Sequence, residues 1–395
     1  MRFAVIGISD NREQDFTPEV LDIIRQGKVF SGGKRHHELM QHLLPADYRW
    51  IDITVPISGV IVEYKNYNDI VVFASGDPLF FGFANTLRRM LPDAVLEVYP
   101  YFNSLQQLAH RMLLGYQDMR TISLTGRPWD ALDTALIQGE KLIGALTDQK
   151  KTPAQIAARM LQYGYENYTM TVGECLGNRE KEQVRTFNLH DVCGQNINFP
   201  NCIILQQTEE RPHALGIPES EFHLLNGRVN MITKMPIRLL TLSMLDLQHR
   251  RTFWDVGSCT GSISIEAKLQ FPHLSITAYE IRPEGQALLQ SNCEKFGAPG
   301  IQFVGGDFLE SIGQECMSCQ HPDAVFIGGH GGKLKEMILA IRPLLATEGC
   351  IVFNSVSASS LAMFQEGVEA AGLHIVQRTR IVIDEHNPIE ILKAQ

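Results

Sequence analysis

Phe253-Trp254-Asp255-Val256-Gly257-Ser258-Cys259-Thr260-Gly261-Ser262 runs from an apolar stretch into a glycine-bearing turn. Such a stretch reads as a buried strand, a tight turn and the first residue of a helix. A second strand, Leu274 to Tyr279, ends on an acid, Glu280. A strand, a turn at a helix N-terminus and an acid closing the next strand form a nucleoside crevice in an open parallel sheet. The acid would accept hydrogen bonds from ribose hydroxyls, and the glycines let backbone approach the ligand without an intervening Cβ. A dinucleotide site would carry G-x-G-x-x-G. Here the glycines are spaced G-x-x-x-G, with Asp255 in the strand end.

Composition sets the frame. The chain has 395 residues, 44% hydrophobic and 20% charged, enough for two domains of roughly 150 to 200 residues each. No apolar run approaches a membrane span, and the opening Met1-Arg2-Phe3-Ala4-Val5-Ile6-Gly7 reads as a strand entering a turn rather than a signal peptide. A cytoplasmic, soluble protein is expected. The net charge of −9 argues against nucleic acid as a partner. Several cysteines (Cys202, Cys293, Cys350) fall in apolar patterns and suit reduced, buried thiols. Cys316-Met-Ser-Cys319 has no second pair at zinc spacing and reads as surface loop, so no metal is expected.

Residues 209–222 combine two prolines, a glycine and charge, and are the candidate linker, across which few core contacts are expected. On either side strands alternate with helices, which makes both halves α/β. Strands are expected near 2–6, 70–74, 95–99, 121–124, 142–146 and 168–172. After the linker they are expected near 252–256, 274–279, 301–304, 323–327, 350–353 and 373–379. The division is 1–208, linker 209–222, and 223–395.

The D-x-G-x-x-x-G of the opening stretch resembles the first motif of S-adenosylmethionine (SAM) methyltransferases, with Cys259 where that family usually has glycine. More broadly, Ile232-Thr233-Lys234, Tyr279-Glu280, Gly306-Asp307-Phe308, Ile327 to Gly332 and Asn354-Ser-Val resemble the precorrin C-15 methyltransferase and decarboxylase domains of cobalamin biosynthesis. In the first half, Ile6-Gly7-Ile8, Ser31-Gly32-Gly33, Ser75 to Phe80, Ser123 to Arg127, Thr152-Pro153-Ala154 and Glu174 to Gly177 resemble precorrin C-5 methyltransferase domains. In this order the pieces resemble the fused C-5,C-15 methyltransferases (decarboxylating).

The resemblance implies an N-terminal tetrapyrrole-methylase fold followed by a C-terminal Rossmann-like class I SAM methyltransferase domain. It implies a tetrapyrrole substrate, precorrin or cobalt-precorrin, methylated at C-5 and C-15 with loss of the C-12 acetate carboxyl. Two SAM per chain and a homo-oligomer are expected. In the second half Thr233, Gly257, Ser258, Cys259, Thr260, Gly261, Glu280, Asp307 and Phe308 would hold SAM, with Asp307 and Phe308 facing adenine. Gly328, Gly329, Gly331, Gly332 and Lys333 would meet the substrate. His330 and Asn354 are the candidate catalytic residues. In the first half Gly7, Gly76, Asp77, Pro78, Asn103 and Ser104 would contact SAM, although Ser9, the Tyr101-Phe102-Asn103 loop and Thr125 depart from the family pattern. Lys34-Arg35-His36-His37 would either greet acidic side chains or serve as a helix-start charge cluster. Two rivals stay open: a SAM enzyme with only the second half active, and an NAD-dependent oxidoreductase.

Overall fold

The computed structural model describes residues 1–212, 215–228, 231–312, 321–383 and 388–395, so Cys316 and Cys319 lie outside the described residues. The chain divides into two compact units. The first comprises Met1–Pro128, Lys141–Ala158 and Asn167–Glu209. The second comprises Trp129–Glu140, Arg159–Glu166 and Glu210–Gln395.

The first unit holds two sheets. Strands β1 (Arg2–Ile8), β2 (Val29–Gly32), β3 (Arg49–Asp52), β4 (Asp69–Ser75) and β5 (Val95–Tyr99) form one in the order β3-β2-β4-β1-β5, parallel throughout. Strands β6 (Arg120–Ser123), β7 (Leu142–Leu146), β8 (Tyr168–Glu174), β9 (Gln183–Asn188) and β10 (Asn201–Gln207) form the other in the order β6-β7-β10-β8-β9. Only its β6–β7 pair is parallel.

The second unit is built on one sheet of seven strands: β11 (Thr252–Val256), β12 (Ser275–Glu280), β13 (Ile301–Gly305), β14 (Ala324–Ile327), β15 (Cys350–Ser355), β16 (Ile375–Ile381) and β17 (Ile389–Ala394). Their order is β13-β12-β11-β14-β15-β17-β16, parallel except for β17. Every residue of β11 is buried. Trp254 and Val256 enter one core cluster and Phe253 the other, so both faces of the sheet are covered. That explains the unbroken apolar run, since parallel strands covered on both faces need no polar alternation. The strand order reverses between β11 and β14, which opens a crevice at their C-terminal ends.

The stretch 209–222 is built in rather than spanning free. Ile217 and Phe222 are buried, and Arg211 stacks over the Tyr165 ring at 4.3 Å. An apolar residue every few positions gives this proline-bearing stretch a face to bury, which its polar composition conceals. The helical segment 129–140 joins the second unit through its own bonds: Thr134 Oγ1 donates to Pro272 O at 3.2 Å, and Asp133 takes a bidentate ion pair from Arg159 at 2.8 and 2.6 Å. Among the described residues no helix is long and apolar enough to cross a membrane.

Candidate functional site

A cavity of about 880 Å³ opens at the C-terminal ends of β11, β12 and β14. The turn after β11 forms its floor. Gly257 N and Ser258 N donate to Tyr279 O, and Gly261 N donates back to Ser258 O at 2.8 Å. Gly257, Cys259 and Gly261 all sit at positive φ, +78°, +48° and +74°. A Cβ on Gly257 would come within 2.5 Å of Gly329 N, and one on Gly261 within 2.1 Å of a Leu289 methyl. Cys259 adopts the same left-handed conformation despite its side chain, so the turn geometry survives the departure from glycine. Its amide donates to Glu280 Oε2 at 2.9 Å, which fixes it there.

Two acids behave differently. Glu280, 2% exposed, braces the rim: besides Cys259 it accepts from Arg282 N and Arg282 Nη1, both at 2.9 Å. Asp255 Oδ2 accepts from Ser264 N at 3.2 Å and Ser264 Oγ at 2.6 Å. Its Oδ1 is buried without a partner, as is Ser258 Oγ. Burial, with the Glu280 charge adding to it, pushes the Asp255 carboxyl up to about 6.

Thr233, Gly257, Ser258, Cys259, Thr260, Glu280, Asp307 and Phe308 all line this cavity, as do Gly328, Gly329, Gly331, His330, Lys333 and Asn354. Gly261 and Gly332 lie behind the lining and shape the turns. Several residues carry structural work as well. Asp307 caps the helix Phe308–Ser311 through Leu309 N at 2.9 Å. Its other oxygen pairs with Lys333 Nζ at 2.8 Å, so the cation expected to meet substrate is already bound to an acid. Lys333 holds the Asp307 carboxyl below the usual range. Phe308 is buried and packs edge-on to Tyr279 at 5.0 Å. Gly329 gives the Gly257 turn its room, a packing role beside the expected one.

His330 is half-buried and meets Phe353 edge-on at 5.9 Å. Gly332 N donates to its Nδ1 at 3.1 Å, which leaves the ring proton on Nε2. Burial lowers its pKa, so the ring is neutral at pH 7. Asn354 Nδ2 donates to Thr241 Oγ1 at 3.0 Å, and Thr241 in turn donates to Ile237 O at 2.8 Å. The sequence reading missed the apolar wall of Ile237, Val356, Ile381, Ile383 and Ile389. Ile237 comes from the helix Met235–Leu245, Val356 from the turn after β15, and Ile381, Ile383 and Ile389 from β16, β17 and the stretch between them, segments far apart in the chain with no motif to mark them.

In the first unit the expected residues also converge. A Cβ on Gly7 would strike Gly76 O at 2.0 Å and Tyr101 N at 2.6 Å, and one on Gly76 would lie 2.9 Å from Asn103 Cα. The end of β1 and the loops after β4 and β5 are therefore in backbone contact. Asn103 caps the helix Ser104–Arg111, accepting from Gln106 N at 2.9 Å. Asp77 Oδ1 accepts from Leu79 N at 2.8 Å and closes a turn before the exposed Leu79. The Lys34–His37 cluster is spent locally. Arg35 pairs with Asp10, His36 Nε2 meets Ser75 Oγ at 2.9 Å, and His37 stacks on Trp50 at 4.1 Å.

The family described as "Precorrin methyltransferase domain" matches residues 227–393. A precorrin-6Y C(5,15)-methyltransferase (decarboxylating) of Sinorhizobium sp is 29% identical over 388 residues, 98% of this chain and 91% of the relative. A cobalt-precorrin-6B C(15)-methyltransferase (decarboxylating) of Salmonella typhi is 36% identical over 152 residues, 38% of this chain and 72% of the relative. Among solved structures, a precorrin-6Y C5,15-methyltransferase from Geobacter metallireducens GS-15 is 32% identical, covering 47% of this chain and 99% of that chain with a TM-score of 0.42.

Proposed function

The chain belongs to the precorrin-6Y C(5,15)-methyltransferase (decarboxylating) family of cobalamin biosynthesis, and from that premise we propose a division of labour between its halves. The protein is a SAM-dependent, decarboxylating methyltransferase. Residues 223–395 carry C-15 methylation with loss of the C-12 acetate carboxyl, and residues 1–208 carry C-5 methylation, each with its own SAM.

One observation carries the second-half reading: two buried polar atoms without partners, Asp255 Oδ1 and Ser258 Oγ, on the floor of a cavity that Glu280 borders. Buried polar atoms are left unpaired at a cost unless a ligand meets them. SAM fits this donor and acceptor set: its charged methionine end suits the turn at Gly257–Gly261 and its ribose suits Glu280. When bound, SAM supplies an electrophilic methyl group. The chain's own residues bind, align and exclude water. The apolar wall of Ile237, Val356, Ile381, Ile383 and Ile389 would meet the flat tetrapyrrole. His330 presents a neutral Nε2–H to an acetate carboxylate, and Asn354 is held by Thr241 at the same crevice. In the decarboxylation the bond from the acetate methylene to its carboxyl breaks, the electron pair stays on the methylene, and a proton must be delivered there. His330 holds the departing carboxylate through that N–H, and the proton comes from solvent.

For the first half, the contact of the Gly7, Gly76 and Asn103 loops supports a second SAM site. A homo-oligomer belongs to the same proposal, supported by the exposed Leu79, Phe102 and Leu113 and tested by sedimentation. A cytoplasmic address suits the buried thiols of Cys202, Cys293 and Cys350.

Calorimetry should find two SAM equivalents per chain. Glu280→Ala removes a buried acceptor and releases the Cys259 turn, so it should cost about 2 kcal/mol, roughly thirtyfold in SAM affinity at one site, with C-5 methylation kept. Asp77→Arg should remove the other equivalent and the C-5 activity. A single equivalent with methyl gain at C-15 alone would make the first half a scaffold.

A further inference from the structure

Arg238 and Glu266 form an ion pair whose side chains are both 0% exposed. Neither lines the cavity. Arg238 lies on the helix Met235–Leu245 and Glu266 on the helix Ser262–Gln270, the helix that the SAM turn enters. Their remaining bonds all go to backbone. Arg238 Nη1 donates to Thr233 O at 2.8 Å, and Nη2 donates to Ile217 O. Glu266 Oε1 accepts from Gly216 N and, at 3.3 Å, from Ile217 N. Arg238 also lies over the Phe222 ring at 5.2 Å, and Glu219 accepts from Met235 N.

A buried ion pair adds little net stability over an apolar pair of the same shape. What this one supplies is placement. The guanidinium is a rigid fork, and its three donors reach three different segments. One of those segments, Met231 to Lys234, contributes four consecutive residues to the cavity lining. We propose that Arg238, held by Glu266, is a positioning residue for SAM binding at the C-15 site: it fixes the Thr233 carbonyl and so holds the 231–234 segment in place over the cofactor. This rests on the reading that the cavity takes SAM.

Lysine at 238 keeps the charge but cannot hold Glu266, Thr233 and Ile217 together. In the full-length chain, Arg238→Lys should raise the KM for SAM in C-15 methylation about tenfold and leave kcat within about twofold, because a binding contact is loosened and the reacting groups are untouched. C-5 methylation by the same chain should be unchanged. A residue that served stability alone would lower Tm without moving that KM. Should Arg238→Lys fail to fold, Arg238→Met/Glu266→Gln removes both buried charges while leaving an acceptor for Gly216 N and Ile217 N, and the same rise in KM is expected of it. A folded variant of either kind whose KM for SAM stays within about twofold of the parent overturns the proposal. Glu280→Ala, run alongside, separates the two failures. If it weakens SAM while the Arg238 variants do not, only the positioning role falls; if it too leaves SAM binding intact, the assignment of the cavity falls.

Discussion

Asp255 has one carboxylate oxygen bonded to Ser264 and one bonded to nothing. Its pKa is raised from 3.8 to about 6 by burial. Ionisation of the folded chain is therefore opposed. The stability contribution is fully present below about pH 4, where the carboxyl is protonated folded or unfolded, and is lost as pH rises through 6. A shift of this size corresponds to about 3 kcal/mol at pH 7. Asp255→Asn keeps the shape and drops the charge. It should raise the Tm of the SAM-free protein at pH 8, with an advantage that shrinks to nothing by about pH 4. Thermal unfolding of both proteins across that range decides it; equal Tm values at pH 8 would rule out a charge penalty at this position. The same variant should bind SAM more weakly, since Asp255 lines the cavity and loses its charge.

At the scale of the element, the turn from Gly257 to Gly261 holds three left-handed residues in five positions, one of them Cys259. A side chain in that conformation costs about 1 to 2 kcal/mol. Cys259→Gly relieves the strain but frees the unfolded chain by about 0.4 to 1 kcal/mol. Urea unfolding should therefore find it within about 1 kcal/mol of the parent. Cys259→Val places a β-branched residue at positive φ and should lose about 2 kcal/mol; a valine variant as stable as the parent would show that the turn tolerates another conformation. This turn and the strands flanking it were legible in the sequence because β11 is buried on both faces and its glycines punctuate the helix start. Other elements were hidden for physical reasons. β2 and β3 are four residues each, too short for a period to emerge. β9 has no fully buried residue, so Gln183–Asn188 lacks an apolar face. β17 reads Ile-Glu-Ile-Leu-Lys-Ala and inserts between β15 and β16, an order that local pattern does not carry. Most of the second-half motif residues line one cavity, whereas the pairing of Lys333 with Asp307 depends on a fold-level approach between positions 26 apart.

For the whole molecule, the second unit begins earlier than composition suggests. A fragment starting at 223 would lose Ile217 and Phe222, each worth roughly 1.5 to 3 kcal/mol of burial, and would leave Glu266 without Gly216 and Ile217. A fragment starting at 210 keeps them. Expressed side by side, 210–395 should unfold at clearly higher urea than 223–395; coincident transitions would show that 210–222 contributes nothing to the core. The same capture of distant segments bears on how the protein is made. Thr134 bonds to Pro272, 138 residues further along. At a synthesis rate of about 5 to 20 residues per second, the ribosome needs roughly 7 to 28 seconds to close that distance. Throughout that interval the nascent stretch 129–140 lacks those partners, with the apolar Leu132, Leu136 and Ile137 among its residues. Until Pro272 has been made, that stretch must wait without its partner beside other growing chains, and slow translation of the second half would lengthen the wait.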